Sequence, residues 1–167
     1  MSRIRHSPAT RRGAPGFTLI ELVMVMIVLG ILAVFVIPRL DLTRGFDEVG
    51  LRDAVRATLE LARKSAVAER RNVRVTLAGN SLTLTIDNVS PEDPGAGSYP
   101  RNLNLPTPDR RCGGPANQLC APPDVTLGGP ATLTFSPLGR PSAAASYNVT
   151  GDAPWSITVE AETGHVH

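Results

Sequence analysis

Gly16-Phe17-Thr18-Leu19-Ile20-Glu21-Leu22-Val23-Met24-Val25-Met26-Ile27-Val28-Leu29-Gly30-Ile31-Leu32-Ala33-Val34-Phe35-Val36-Ile37 runs into Pro38-Arg39. From Leu22 to Ile37 no side chain is charged or strongly polar. As a helix, Phe17 to Ile37 would be roughly 31 Å long, about the thickness of a bilayer's hydrocarbon core. The sixteen residues before it hold Arg3, Arg5, Arg11 and Arg12 and no acid. Basic flanks stay in the cytoplasm, so this arrangement places everything after Pro38 on the far side of the membrane.

Three readings compete for the segment. A secretory signal peptide has a shorter apolar region with a small-x-small cleavage site after it, and Val36-Ile37-Pro38-Arg39 is a poor one. A plain membrane anchor explains the length but not the start. Glu21 places a carboxylate one turn inside an apolar helix. An ionised group there costs up to roughly 2.5–3.5 kcal/mol at the bilayer centre and less near its edge, so it calls for a partner. A cut after Gly16 gives Phe17 a positively charged α-amine at that depth. The amine of one subunit can then pair with Glu21 of a neighbour.

Gly16-Phe17-Thr18-Leu19-Ile20-Glu21-Leu22 resembles the prepilin processing site of type IV pilins and type II secretion pseudopilins. The resemblance implies cleavage between Gly16 and Phe17 by a prepilin peptidase and N-methylation of Phe17. It also implies a single-pass protein of the bacterial inner membrane, with its C-terminal domain in the periplasm. The subunit would then be extracted into a filament with other pilin or pseudopilin subunits. Gly30 and Pro38 stand where the family carries helix-weakening residues; tolerance in a membrane helix accounts for them equally.

Charge follows the same division. Taking the four leader arginines from 17 basic residues leaves 13 against 15 acids, a net charge of about −2. A chain of that balance has no global attraction for nucleic acid. Aromatic residues are only 4% of the chain, so a core must come from Val, Leu, Ile and Ala; 15 Gly and 15 Pro exclude an all-helical fold.

Leu51, Val55, Leu59, Ala62 and Ala66 recur at helical spacing, predicting an amphipathic helix over 46–70 with its stripe on a sheet. Asp41 to Gly45 is where that helix would loosen. Arg63, Lys64, Glu69, Arg70 and Arg71 read as a solvated face. Val73, Val75 and Leu77, then Leu82, Leu84 and Ile86, alternate around Gly79-Asn80, predicting a hairpin with a type II′ turn. Residues 88–130, with nine prolines, read as one long loop that is functional or mobile. Three further strands are expected at Thr132–Phe135, Ser146–Thr150 and Ser156–Glu160. Glu162-Thr163-Gly164 reads as a turn before a last short strand, His165–His167.

Cys112 and Cys120 are the only cysteines, and no second pair completes a structural zinc site. Beyond an inner membrane a disulfide is the natural reading, worth roughly 2.5 kcal/mol for so small a loop. Free thiols are the alternative.

Phe135-Ser136-Pro137-Leu138-Gly139-Arg140 and Ile157-Thr158-Val159 before Thr163-Gly164 resemble the GspH/FimT branch of the pilin family, and Ala62 to Arg70 also resembles MSHA-type minor pilins. The branch implies an α+β pilin-like fold: a long N-terminal helix, its first half transmembrane, packed on a small antiparallel two-sheet β domain. The chain then divides into a cleaved leader, 1–16; a transmembrane and filament-core helix, 17–38; its amphipathic soluble half, 39–71; and a periplasmic β domain, 72–167.

Catalytic chemistry is sparse. His6 lies in the leader. His165 and His167 share a strand face and would need a third ligand to hold a metal. Gly113-Gly114 and Gly128-Gly129 sit in Pro-rich loop and follow no strand as a phosphate loop would. The expectation is a non-enzymatic subunit without cofactor or metal, with secreted proteins as possible partners in a secretion pseudopilus. The competing class is a DNA-binding pilus tip. FimT-type pilins are thought to bind DNA through basic residues near the C-terminal Gly. Here His165 and His167 follow Gly164, with Arg101, Arg110, Arg111 and Arg140 as further cations, and neutral histidines make poor phosphate contacts.

Overall fold

The structure, a computed structural model, describes residues 16–36, 42–91 and 96–167, with side chains described from 16–32, 47–91 and 96–167. It divides into two compact units between Leu40 and Asp41. Pro38, Arg39, Asp41 and the leader up to Pro15 lie outside the described residues.

The first unit carries helix α1, Leu19–Val36. Thr18 caps it: its hydroxyl accepts the Glu21 N–H at 3.3 Å, and its carbonyl accepts Leu22 N–H at 3.2 Å. The spelling Thr-x-x-Glu is that of a capping box. Eighteen helical residues rise about 27 Å. Among the described residues no helix is long and apolar enough to cross a membrane. The apolar run in the sequence is longer than α1, extending from Phe17 to Ile37.

The second unit opens with α2, Leu42–Glu69. It starts earlier than the sequence pattern suggested: Leu42 to Gly45 are helical, because Gly45 is tolerated inside a helix of this length at a cost of about 1 kcal/mol. Leu51, Val55, Leu59, Ala62 and Ala66 are all fully buried. They lie on one face by their spacing, and that face covers the β layer.

Strands β1, Val73–Ala78, and β2, Ser81–Ile86, form the expected hairpin. Its two-residue turn has positive φ at Gly79 (+56°) and not at Asn80, the type II′ pattern. The first sheet runs β3-β2-β1-β6, with β3 at Arg101–Asn102 and β6 at Thr132–Phe135. Antiparallel register aligns Ile86, Val73 and Phe135 in one row and Leu84, Val75 and Leu133 in the next. All six are buried. The second sheet is β5-β7-β8, with β5 at Thr126–Gly128, β7 at Ala145–Thr150 and β8 at Pro154–Val159. Here Leu127 faces Val149, and Tyr147 faces Ile157. The expected last strand, His165–His167, pairs antiparallel with the end of β8: Val159 bridges Val166, Thr158 and His167 exchange backbone hydrogen bonds at 2.8 and 3.0 Å, and Glu160 N–H donates to His165 O at 2.9 Å.

The 88–130 segment corrects the sequence reading. It holds β3, a 3-10 turn at Arg110–Cys112, β4 at Gln118–Cys120 and β5. β3 and β4 both pair with β2, at opposite ends of the same edge. Strands of two or three residues are too short to display a period, and the prolines between them masked the pairing. Asn80 ties the region down. Its side chain donates to Val125 O at 3.2 Å and accepts Leu127 N–H at 3.2 Å, and its backbone carbonyl accepts Ala121 N–H at 2.9 Å.

Candidate assembly site

The described start of the chain is built to be covered by something else. Every described side chain from Phe17 to Leu32 is exposed, with Phe17 82% accessible. Methionines and β-branched residues ring α1 on all sides, so no polar face marks a solvent side. Among the described residues nothing requires glycine at position 16 or 30: an added Cβ meets none of their atoms within 4 Å at either. Glu21, in the first turn, lies where the helix dipole favours a carboxylate. Gly16, Phe17 and Glu21 thus stand together at one exposed end of an apolar rod.

A second constellation lies in the β unit. Gly139 (φ +78°) and Gly164 (φ +64°) occupy two turns that meet, since a Cβ on Gly164 would fall on the Gly139 carbonyl oxygen. Arg63 of α2 reaches both turns: its guanidinium donates to Thr163 O at 3.4 Å, and its stem would touch a Cβ at Gly139. The Phe135–Arg140 and Thr163–Gly164 segments, distant in sequence, therefore form one place. Arg140 pairs with Glu162 across it.

Cys112 and Cys120 are joined as a disulfide, their Cα atoms 5.4 Å apart. Asp109 holds the two sides of that bond. Its carboxylate accepts Arg111 N–H at 3.1 Å, Arg111 Nε–H at 3.0 Å and Cys120 N–H at 3.0 Å. Burial opposes its ionisation, but the Arg111 and Cys120 hydrogen bonds and the Arg111 charge outweigh it and hold its pKa below the ordinary carboxylate value. Elsewhere, burial pushes the Tyr147 hydroxyl up to about 12.

Three of the cations considered for DNA are each held by a different carboxylate. Arg101 pairs with Glu69, Arg111 with Asp109 and Arg140 with Glu162. His165 and His167 stack at 5.6 Å, and His167 lies 3.8 Å from Glu160. Among the described residues no cluster of three His, Cys, Asp or Glu has the geometry to hold a metal ion.

Sequence reasoning missed Glu48. It is buried, and its carboxylate accepts the backbone N–H of Asp152 and, at 3.2 Å, of Ala153. No short-range pattern reveals a contact spanning half the chain. Thr18 and Asp109 were findable as helix caps, the first from its capping-box spelling.

A family model described as the prokaryotic N-terminal methylation motif matches residues 11–37. No curated protein matches the chain. Among solved structures, the chain is similar in fold to the minor pseudopilin EpsH from the Type 2 Secretion System of Vibrio cholerae. That alignment has a TM-score of 0.52 and 14% identity, over 71% of this chain and 92% of the other. The type IV minor pilin FimU of Pseudomonas aeruginosa aligns at a TM-score of 0.48 and 14% identity, over 71% of this chain and 89% of its own, too low to add to the fold assignment. The chain therefore joins a prokaryotic N-terminal methylation motif to a pilin-like α+β fold.

Proposed function

We propose that the chain is a minor pseudopilin of a type II secretion system, assembled into a periplasmic pseudopilus. A prepilin peptidase cuts between Gly16 and Phe17, and Phe17 is then N-methylated. The apolar run from Phe17 anchors the subunit in the inner membrane, with the β unit in the periplasm. The observation that carries this reading is the methylation motif over 11–37 continuing into a helix with no buried face of its own. A helix of that kind is stable only in lipid or among other helices. In the filament, Glu21 accepts the charged α-amine of a neighbour's Phe17, which sets the stacking register.

Support for the secretion system comes from EpsH, whose fold the chain shares. The alternative is a minor type IV pilin of FimT or MSHA type for priming, adhesion or DNA uptake. DNA binding draws less support, because three of the four arginines it invokes are each held by a different carboxylate.

The reading is tested on chain recovered from membranes. Its N-terminal peptide should begin at methylated Phe17. Glu21→Ala should leave that peptide unchanged and reduce recovery in sheared filaments; wild-type recovery would sink the pairing argument. Gly16→Ala should be processed better than a bulky replacement, since only the peptidase constrains that position. Deleting the gene should block release of a secreted protein while surface pili persist; loss of surface pili with secretion intact favours the alternative.

A further inference from the structure

Cys112 and Cys120 share a partner besides each other. The carbonyl oxygen of Asp109 accepts the Cys112 N–H at 3.2 Å, and its carboxylate accepts the Cys120 N–H at 3.0 Å. Both cysteine backbones are thus tied to Asp109 through bonds that involve neither sulfur. The surrounding elements support the same placement. The carboxylate caps the 3-10 turn Arg110–Cys112 through the Arg111 N–H, and Gly113, at φ +62°, ends that turn. The Arg111 Nε–H, at 3.0 Å, fixes the carboxylate itself. On the other side, Cys120 stands opposite Ser81 in the pairing of β4 with β2, and the next N–H, of Ala121, donates to Asn80 O. The Cα atoms lie 5.4 Å apart, inside the range a disulfide requires. Backbone bonds that stand without the covalent one set that separation.

We propose that Asp109 is the positioning residue of a self-closing redox clasp. It gathers the two thiols in the reduced, folded chain, so the disulfide forms, and forms again after reduction, within the native fold. Gathering the thiols beforehand removes the loop-closure entropy that a flexible loop would lose on forming the bond. The stretch between the cysteines begins Gly113-Gly114, residues with much freedom to lose. Both cysteines are half-buried and Gly113, Gly114 and Pro115 are exposed, which leaves the pair within reach of a small reagent. The proposal is independent of the pseudopilin reading, since it concerns the β unit alone.

The chemistry is exchange with a low-molecular-weight disulfide such as oxidised glutathione. One cysteine thiolate attacks it, forms a mixed disulfide and releases one glutathione thiolate. The second cysteine thiolate attacks the protein sulfur of that mixed disulfide and releases the other. Two protein thiols are oxidised and one glutathione disulfide is reduced to two thiols. The two protons pass from the cysteines to the released thiolates. Only the second step is intramolecular, and that is the step Asp109 favours.

The test uses the purified full chain in detergent micelles, equilibrated in mixtures of reduced and oxidised glutathione. Mass spectrometry after alkylation reads the oxidised fraction. Asp109→Ala should lower the equilibrium constant for closing the bond by about tenfold, which is about 30 mV for this two-electron couple. Asp109→Asn keeps one acceptor oxygen and should fall between Asp109→Ala and wild type. Ile157→Val, a destabilising change in the second sheet, should leave the constant within about twofold, which separates positioning from loss of stability. Hydrogen exchange gives a second readout. The Cys120 amide should be protected in the reduced wild-type chain and should exchange about tenfold faster in reduced Asp109→Ala. A constant for Asp109→Ala within about twofold of wild type overturns the proposal, as does an equal drop in Ile157→Val. An unprotected Cys120 amide in the reduced wild-type chain also overturns it, because the clasp would then be absent until the bond forms.

Discussion

Asp109 does with hydrogen bonds what the disulfide beside it does covalently. Its carboxylate links the turn that carries Cys112 to the strand that carries Cys120. Its side chain is only 10% exposed, so water replaces those bonds poorly. The depressed pKa gives a pH signature. A carboxylate whose folded pKa lies below its unfolded value contributes stability that is fully present above the unfolded value. That contribution is lost as pH falls through the folded pKa. Asp109→Asn should therefore destabilise the chain at neutral pH, and the difference from wild type should shrink as pH drops below 3.8, the ordinary value. Denaturation at neutral pH and at two acidic points measures it. A difference that stays constant with pH would assign the loss to packing alone.

Asn80 shows how much an element can depend on one turn residue. Type II′ geometry presents its side chain to the β4–β5 connection, where it holds both Val125 and Leu127. Asn80→Ala should leave Val125 O and Leu127 N–H without those partners, at roughly 1–3 kcal/mol. Urea denaturation measures the loss; if β5 then frays, hydrogen exchange at Leu127 should rise far more than at Val75 in the central strand. The contrast between these elements also explains what could be read in the sequence. Helix α2 and the β1–β2 hairpin bury residues at a fixed period over many positions, so Leu51 to Ala66 and Val73 to Ile86 announce themselves. Strands β3, β4 and β5 are two or three residues long, and their pairing with β2 or β7 is decided by tertiary contacts. Asn80 was legible as a turn residue but not as a link between sheets. Glu48 was invisible because its partners, Asp152 and Ala153, are far off in sequence. Gly16, Phe17 and Glu21, the proposed processing and assembly residues, were legible because they stand in one short linear pattern, matched within the N-terminal methylation motif. Arg70 read as one more solvated charge, and the left-handed φ it adopts has no mark in the sequence.

At the scale of the whole molecule, the burial seen among the described residues lies on one side of the division at Leu40. Among the described residues every buried hydrophobic side chain lies between Leu51 and Val166, and the described side chains of α1 are all exposed. The free energy that folds the β unit must then come from α2 and the two sheets, since apolar area removed from water is the main favourable term. Chain beginning at Asp41 should consequently fold without detergent, form the Cys112–Cys120 bond, and match the full chain in unfolding free energy to within about 0.5 kcal/mol, the size of a surface change. Leu59→Ala, from the buried stripe, should cost both forms the same amount, about 2–5 kcal/mol. Parallel denaturation of the two forms and their Leu59→Ala variants checks this. If the truncated form were markedly less stable, or if Leu59→Ala cost the two forms different amounts, α1 would have to contribute to the fold as well as to assembly. Equal values would leave α1 free to be buried wholly by lipid or by other subunits, because none of its apolar surface is needed by the fold it is attached to.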